Sequence, residues 1–207
     1  MKKAVVFDLD ETLGHFSNLS GFIKAVEATS RRPFPVLEAA KAFPEIFRPG
    51  IGGILRDLVW RKQRGEDIVV VLYTNNNGGV EWPSRIVESI NTLLNFPLFS
   101  EIIPGYTPHG CRLTPAKTLH DLYKCSMIPR GTPILFVDDS SHPEMQGEEV
   151  YYIQVPVYVP DLSPDKMVDR FIQRFRINVS PGLFKNRILS FLVNNRFSWT
   201  RPRSEEH

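Results

Sequence analysis

The chain has 207 residues, of which 42% are hydrophobic and 23% are charged, and its formal net charge is +2. This composition is typical of a soluble globular protein, excludes a disordered or fibrous chain, and implies no strongly charged partner. The longest apolar run, residues 68–72, is too short to cross a bilayer, and the first residues lack the apolar region of a signal peptide. Cys111 and Cys125 have neither zinc nor redox spacing, which favours two reduced thiols in a cytoplasmic or nuclear protein.

Short apolar runs and longer amphipathic runs alternate along the chain. Strands are predicted, in order, at residues 3–8, 68–73, 98–103, 134–137 and 150–155. Helices are predicted at about 20–27, 36–42, 54–59 and 83–94, from Thr114-Pro115 onward, and at about 164–175 and 183–194. Strands that alternate with helices predict an α/β fold, Rossmann-like, with a mainly parallel sheet and helices on both of its faces.

This pattern also predicts how the chain is divided. Residues 1–160 are expected to form one catalytic domain, with a small helical insert at residues 14–47 after the first strand. Residues 161–207 are expected to form a helical C-terminal extension that packs on this domain, and its last residues form a polar tail. The histidines His109, His120 and His142 show no metal spacing and are predicted to lie on the surface.

Paired acids directly after the first strand are the strongest chemical signal. Asp8 and Asp10 follow a buried apolar run, and ligands of open α/β sheets bind beyond the carboxyl ends of the strands. Two carboxylates at this place repel one another, and a cation or a shared proton relieves that repulsion. The structural alternative, in which the acids cap the following turn, explains one aspartate better than it explains two.

Other polar residues follow the neighbouring strands. Asp138 and Asp139 come after the run at residues 134–137 and complete a set of hard oxygen ligands suited to Mg²⁺. Thr74 and Asn75 open a turn rich in Gly and Asn, which can direct N–H groups at an anion. Lys117 falls in the first turn of the helix predicted from Thr114, where a helix dipole disfavours a cation unless an anion is bound there.

In order and position, these residues resemble the four motifs of the haloacid dehalogenase-like (HAD) superfamily, from Asp8 to Asp139. The run Asp-Leu-Asp-Glu-Thr-Leu (8–13) is similar to the phosphatase form of the first motif, Thr74 to the second and Lys117 to the third. Asp138-Asp139 is similar to the fourth. Arg48-Pro49-Gly50 further resembles the branch of small phosphatases that act on the C-terminal domain of RNA polymerase II.

The resemblance implies an HAD-like fold and a phosphatase cycle. Asp8 would attack phosphorus and form an aspartyl-phosphate, while Asp10 would act first as acid and then as base. The other predicted residues, Thr74, Asn75 and Lys117, would bind the transferring phosphoryl group. The substrate would be a phosphorylated protein or small molecule.

The resemblance also implies a magnesium site and a cap. Mg²⁺ would be held by Asp8, by the backbone carbonyl of Asp10 and by Asp138. Asp139 would either ligate the metal through water or orient the lysine. Residues 14–47 fall where this superfamily often places a cap over its site.

Two alternatives to a protein phosphatase remain at this point. The substrate could be a metabolite, a nucleotide or a nucleic-acid end, and the basic and aromatic residues 196–203 could contact nucleic acid, although packing of this tail on the domain is favoured. The other alternative is a non-catalytic binding module on the same fold, since a fold does not fix a function.

Overall fold

The computed structural model describes residues 1–76, 80–175 and 180–195. It divides into two compact units, one formed by Met1–Gly14 with Arg48–Tyr158 and the other by His15–Phe47 with the described residues that follow Tyr158. The basic and aromatic residues of the tail lie outside the described residues, so contact with nucleic acid stays a prediction. Among the helices described, none combines the length and the hydropathy needed to cross a membrane.

The first unit contains a five-stranded sheet in which every neighbouring pair of strands is parallel. The strands are β1 (Lys3–Phe7), β2 (Ile68–Tyr73), β3 (Glu101–Ile103), β4 (Ile134–Asp138) and β5 (Val150–Gln154). Their order across the sheet is β3-β2-β1-β4-β5. The predicted α/β fold with a parallel sheet is therefore confirmed, although β3 covers only the second half of the run predicted for it.

The central strands bury side chains on both faces of the sheet. On one face, Val6 of β1 belongs to a cluster with Val71 of β2 and Phe136 of β4, and Leu122 packs against them. Val70 and Leu72 lie on the opposite face because side chains alternate along a strand, and both are fully buried. A strand that is buried on both faces needs apolar residues at every position, which explains why these strands are continuous apolar runs in the sequence.

The described helices, in chain order, are α1 (Phe16–Ser30), α2 (Val36–Ala42), α3 (Ile51–Gln63), α4 (Glu81–Leu94), α5 (Leu119–Cys125), α6 (Pro164–Arg174) and α7 (Pro181–Asn194), with 3₁₀ turns at Pro44–Ile46 and Pro143–Met145. In the first unit, α3 and α4 belong to the crossovers that lead from β1 through β2 to β3. The crossover with α5 returns in the other direction, from β3 to β4. Because such crossovers are right-handed, the reversal places α3 and α4 on one face of the sheet and α5 on the other.

The reversal of strand order lies between β1 and β4. Open α/β sheets bind ligands outside the carboxyl ends of their strands at such a reversal. Asp8 directly follows β1, and Asp138 is the last residue of β4. The N–H of Asp8 donates to the carbonyl of Val137 at 2.9 Å, so the pairing of the two strands continues up to this point. The fold therefore places two of the predicted acids at the position where a ligand is expected.

The second unit is helical, and its core is rich in phenylalanine. Helix α1 packs against α7, α6 packs against α7, and α2 contacts both α1 and α6. The ring of Phe171 lies 5.7 Å from that of Phe22, 5.1 Å from that of Phe34 and 5.7 Å from that of Phe184, measured between centroids. Segments distant in sequence thus share one core. The roles predicted for residues 14–47 as a cap and for residues 161–207 as an extension packing on the catalytic domain stay predictions.

The helix predicted to open at Thr114 begins later, at α5. The N-cap of α5 is Thr118, whose hydroxyl accepts a backbone N–H of the first turn. Residues 115–116 are not helical because Arg112 donates to their carbonyl oxygens at 2.7 and 2.8 Å. Lys117 therefore precedes the helix instead of lying in its first turn. The prediction based on the helix dipole is wrong for this lysine.

The prediction of two reduced thiols is also wrong, because Cys111 and Cys125 form a disulfide. The loop that carries Cys111 folds back over α5, where the carboxylate of Asp121 accepts the N–H groups of Leu113 at 2.9 Å and Thr114 at 3.2 Å. This brings the Cα atoms of the two cysteines to 5.4 Å, a separation common in disulfides. The spacing of the cysteines in the sequence gave no sign of this fold-back.

Candidate functional site

Two carboxylates and one ammonium group meet at the ends of β1 and β4. Lys117 Nζ donates to Asp8 Oδ1 at 2.5 Å and to Asp138 Oδ2 at 2.7 Å. The side chains of Lys117 and Asp138 are 2% and 1% exposed, and that of Asp8 is 9% exposed. Because a buried charge is stable only when it is paired, these contacts explain how a lysine can be buried beside the sheet.

A third carboxylate lies beside this group. One oxygen from each of Asp8, Asp138 and Asp139 lies within 4.8 Å of the others. The hydroxyl of Thr12 donates to Asp139 Oδ1 at 3.1 Å and accepts the N–H of Asp139 at 3.0 Å. These two hydrogen bonds join the turn after β1, which carries Thr12, to the end of β4, which Asp139 follows.

Asp10 stands outside this group of three carboxylates. Asn76 Nδ2 donates to Asp10 Oδ2 at 2.8 Å. This hydrogen bond fixes the orientation of the Asp10 side chain. The geometry therefore separates Asp10, which an amide orients, from Asp8, which an ammonium group contacts.

Thr74 and Asn75 follow β2 at the same edge of the sheet. Thr74 Oγ1 accepts the N–H of Asn76 at 3.0 Å, and a hydroxyl that accepts this bond can still donate its own proton. Asn75 Oδ1 accepts from Arg112 at 2.8 Å. A Cβ atom at Gly105 would lie 2.6 Å from the carbonyl oxygen of Asn76, so only glycine fits beneath this turn.

The turn after Asp10 has an unusual backbone conformation that Arg48 supports. Glu11 has a φ of 58°, in the left-handed region that non-glycine residues rarely adopt. Arg48 donates to the carbonyl oxygens of Glu11 at 2.5 Å, Thr12 at 2.7 Å and Pro156 at 2.6 Å. These bonds offset the strain of the turn and hold the backbone that follows the paired acids.

Sequence reasoning missed three polar residues near the site. His142, predicted to lie on the surface, is 14% exposed, and its Nε2 lies 3.2 Å from Asp138 Oδ2. Its position four residues after Asp138 is the only signal that the sequence offers. Asn76 belongs to the turn rich in Gly and Asn that follows β2 but was not predicted for the site, and neither was Arg112. Arg112 contacts the site through carbonyl oxygens, which the sequence does not show.

The surroundings shift the pKa values of Asp8 and Asp138 in opposite directions. Burial raises the pKa of Asp8 to about 7; the neighbouring Lys117 opposes this rise, and Asp138 adds to it. Burial also acts to raise the pKa of Asp138, but hydrogen bonds from His142 and Lys117 outweigh it and hold this pKa below the usual range. Burial raises the pKa of Asp139 despite its hydrogen bond from Thr12. Without a further positive charge, the site therefore favours a proton on Asp8.

All the residues predicted for the site line one cavity of about 250 Å³ in the first unit. The residues that line it are Asp8, Asp10, Glu11, Thr74, Asn75, Asn76, Lys117, Asp138, Asp139, Ser140 and His142. Three clustered carboxylates offer the hard oxygen ligands that Mg²⁺ takes in proteins, so this set fits the ion.

The raised pKa of Asp8 predicts how the free energy of unfolding depends on pH in the absence of metal. The folded state holds the Asp8 proton up to about pH 7, whereas the unfolded state loses it near 3.8, the ordinary pKa of an aspartate side chain. The native state thus binds more protons in this window, and the contribution of Asp8 to stability falls as pH rises through it. Asp8→Asn should therefore raise the free energy of unfolding relative to the wild type at pH 8, by a few kcal/mol at about 1.4 kcal/mol for each pKa unit.

Urea unfolding in EDTA at pH 4 to 8 measures this effect. The advantage of Asp8→Asn should shrink toward pH 4. A matched substitution at the exposed Asp57, which pairs with Arg61 on the surface of α3, should show no such trend. A difference between Asp8→Asn and the wild type that does not vary with pH would contradict the raised pKa.

Comparison with known proteins adds one distant structure. The HAD domain of the effector protein Lem4 from Legionella pneumophila, solved as an inactive mutant, is 15% identical to this chain, with a TM-score of 0.43, and the match covers 96% of this chain and 100% of that one. No protein-family model matches the sequence, and no curated protein matches it. The function is therefore argued from the geometry of the site.

Proposed function

We propose that the protein is a phosphatase that requires Mg²⁺ and hydrolyses phosphomonoesters through a phosphoryl group carried on Asp8. The observation that carries the proposal is the buried ammonium of Lys117 between Asp8 and Asp138, at the strand ends where a ligand binds. A binding module that holds neither a cation nor a phosphoryl group has no use for three clustered carboxylates beside a cavity, which argues against the non-catalytic alternative. The same residues are those through which the sequence resembles HAD phosphatases.

In the first step, a carboxylate oxygen of Asp8 forms a bond to phosphorus, and the bond from phosphorus to the ester oxygen breaks. Asp10 donates its proton to the departing oxygen, and the hydrogen bond from Asn76 holds it in place to do so. In the second step, Asp10 removes a proton from water. The water oxygen bonds to phosphorus, which releases inorganic phosphate and restores the carboxylate of Asp8.

Thr74 and Lys117 stabilise the oxygens of the phosphoryl group in this scheme. The ammonium of Lys117 lies 2.5 Å from the Asp8 oxygen, so it is adjacent to any group bonded to that residue. The hydroxyl of Thr74 lines the same cavity. Both act as fixed positive or partly positive groups in a buried setting, where they are worth more than in water.

Asp8, Asp138 and Asp139 would hold the ion. When bound, Mg²⁺ supplies positive charge among three carboxylates and the incoming phosphoryl oxygens. The ion is required in this scheme because the single positive charge of Lys117 does not balance three ionised carboxylates and a phosphoryl group. Asp8 must be ionised to attack phosphorus, and a pKa of about 7 leaves it only partly ionised at neutral pH with the lysine alone.

Hydrolysis of a generic aryl phosphate, with Mg²⁺ and with excess EDTA, tests the proposal. EDTA should abolish activity and Mg²⁺ should restore it, whereas Ca²⁺ should substitute poorly because it prefers more ligands and longer bonds. Mg²⁺ should also raise the melting temperature of the wild type, and raise it less for Asp138→Asn. Full activity in EDTA would reject the metal site, and no hydrolysis in either condition would favour a binding module.

The substrate class is a separate question. A panel of phosphopeptides, sugar phosphates, nucleotides and 5′- or 3′-phosphorylated oligonucleotides, compared by kcat/KM at saturating Mg²⁺, distinguishes a protein phosphatase from the two alternatives. A preference for phosphopeptides is expected from the resemblance to the branch that acts on the C-terminal domain of RNA polymerase II. A preference for oligonucleotides would favour the nucleic-acid end as substrate.

A further inference from the structure

Arg112 is the most extensively bonded buried cation near the cavity among the described residues. It is 3% exposed, and its guanidinium makes five hydrogen bonds, all to oxygens that carry no formal charge. It also lies over the ring of Tyr73, at 5.0 Å from the centroid. Arginine in a protein interior usually pairs with a carboxylate, so a buried guanidinium bonded only to uncharged oxygens among the described residues indicates a different task.

One side of the guanidinium holds the turn after β2. Arg112 Nη1 donates to the carbonyl oxygen of Thr74 at 3.1 Å, to Asn75 Oδ1 at 2.8 Å and to the carbonyl oxygen of Pro104 at 3.3 Å. These bonds fix both the backbone of Thr74 and the side chain of Asn75. They also tie the turn to the end of β3, which Pro104 follows.

The other side of the guanidinium holds the segment that leads to Lys117. Arg112 Nη2 donates to the carbonyl oxygens of Pro115 at 2.7 Å and Ala116 at 2.8 Å, the two residues before the lysine. The hydroxyl of Tyr73 accepts the N–H of Thr118, directly after the lysine, at 3.0 Å. Burial raises the pKa of Tyr73 to about 12, so this hydroxyl stays protonated at neutral pH.

We infer that Arg112 is a positioning residue for phosphoryl transfer, which sets the distance between the Thr74 turn and Lys117. The inference rests on the proposed function. Thr74 and Lys117 come from different crossovers of the sheet, and the described contacts of Arg112 join these two segments directly. A planar guanidinium can donate in two directions at once, whereas a lysine at the same position presents its donors from a single atom.

The test compares Arg112→Met and Arg112→Lys with the wild type, after circular dichroism and melting curves have established that each is folded. Both variants should lose about 10- to 100-fold in kcat/KM on an aryl phosphate, the scale of a misplacement near 1 Å. Orthovanadate, measured by calorimetry at saturating Mg²⁺, should bind several-fold more weakly to both. Mg²⁺ itself should bind with unchanged affinity, because Arg112 contacts none of the three carboxylates.

A matched control separates positioning from stability. Ile128 lies in the apolar cluster of the same unit and is 4% exposed, so Ile128→Ala should lower the melting temperature without moving the cavity residues. Its kcat and its affinity for vanadate should equal those of the wild type. If Arg112→Met does not fold, Arg112→Lys decides the question.

Three outcomes are distinct. Folded Arg112 variants with wild-type kcat and vanadate affinity would overturn the inference and leave the proposed function standing. If Ile128→Ala loses as much kcat and vanadate affinity as the Arg112 variants, Arg112 supports only the fold, and the inference is overturned. A wild type that neither hydrolyses the aryl phosphate nor binds vanadate would overturn both the inference and the proposed function.

Discussion

Asp8→Asn is expected to abolish turnover and to leave no phosphorylated form of the protein. The amide of asparagine is a poor nucleophile and cannot form an acyl phosphate, so the first bond to phosphorus is never made. The fold should be retained, because burial at this position favours a neutral group over a charged one. Turnover should fall by at least the ~10²- to 10⁴-fold typical of a lost acid or base, and by more where the nucleophile itself is removed.

Asp10→Asn provides the matched control for this substitution. The nucleophile remains, so with an activated aryl leaving group this variant should still phosphorylate Asp8 slowly and then stall, because no base activates the water. Acid quenching followed by mass spectrometry should find a phosphoryl group on Asp8 in the Asp10→Asn variant. The Asp8→Asn variant should carry no phosphoryl group. An adduct on any other residue would overturn the assignment of the nucleophile.

Lys117→Met is expected to have the next largest effect, with kcat lowered by about 10²- to 10³-fold, as for the loss of one donor to a developing oxyanion. Methionine fills a similar volume but carries no charge, so the phosphoryl oxygens lose their nearest cation. Vanadate or beryllofluoride should bind far more weakly than to the wild type at saturating Mg²⁺. Calorimetry measures this directly.

The same substitution should also affect stability. Removing the lysine leaves Asp8 and Asp138 buried side by side, and breaking a buried pair costs roughly 3–5 kcal/mol. The loss should be greater at pH 8 than at pH 5, since a proton on Asp8 relieves the repulsion at the lower pH. Lys124→Met, an exposed change in the last turn of α5, is the control. Equal vanadate affinity in Lys117→Met and the wild type would remove Lys117 from the site.

The strands and the acids at their ends could be predicted from the sequence for physical reasons. A strand buried on both faces leaves a continuous apolar run, so β1, β2 and β4 are visible without any structure. The carboxyl ends of parallel strands meet at one edge, which made it possible to expect Asp8 and Asp138 to lie close together. Thr74 and Asn75 could be placed by the same argument, since they follow β2.

Features that depend on a side chain bonding to backbone groups could not be predicted. Arg112 withdraws the carbonyl oxygens of residues 115–116 from any helix, and no periodicity in the sequence records such a bond. Lys117 lines the cavity together with the other predicted residues. The helix-dipole argument for placing it there is wrong, because the helix begins after it. The disulfide of Cys111 and Cys125 depends on the same folded-back loop, which is held by the buried carboxylate of Asp121.

The central place of β1 has a consequence for how the chain acquires its structure. β1 begins at Lys3 and is synthesised before the other strands of its sheet, and its two partners begin only at Ile68 and Ile134. At roughly 5–20 residues per second, about 7 to 26 s pass between the appearance of Asp8 and that of Asp138 on the ribosome. β1 has no strand beside it until β2 is made, and one of its edges stays unpaired and open to association with other chains until β4 is made. Pairing between strands so distant in sequence favours slow folding.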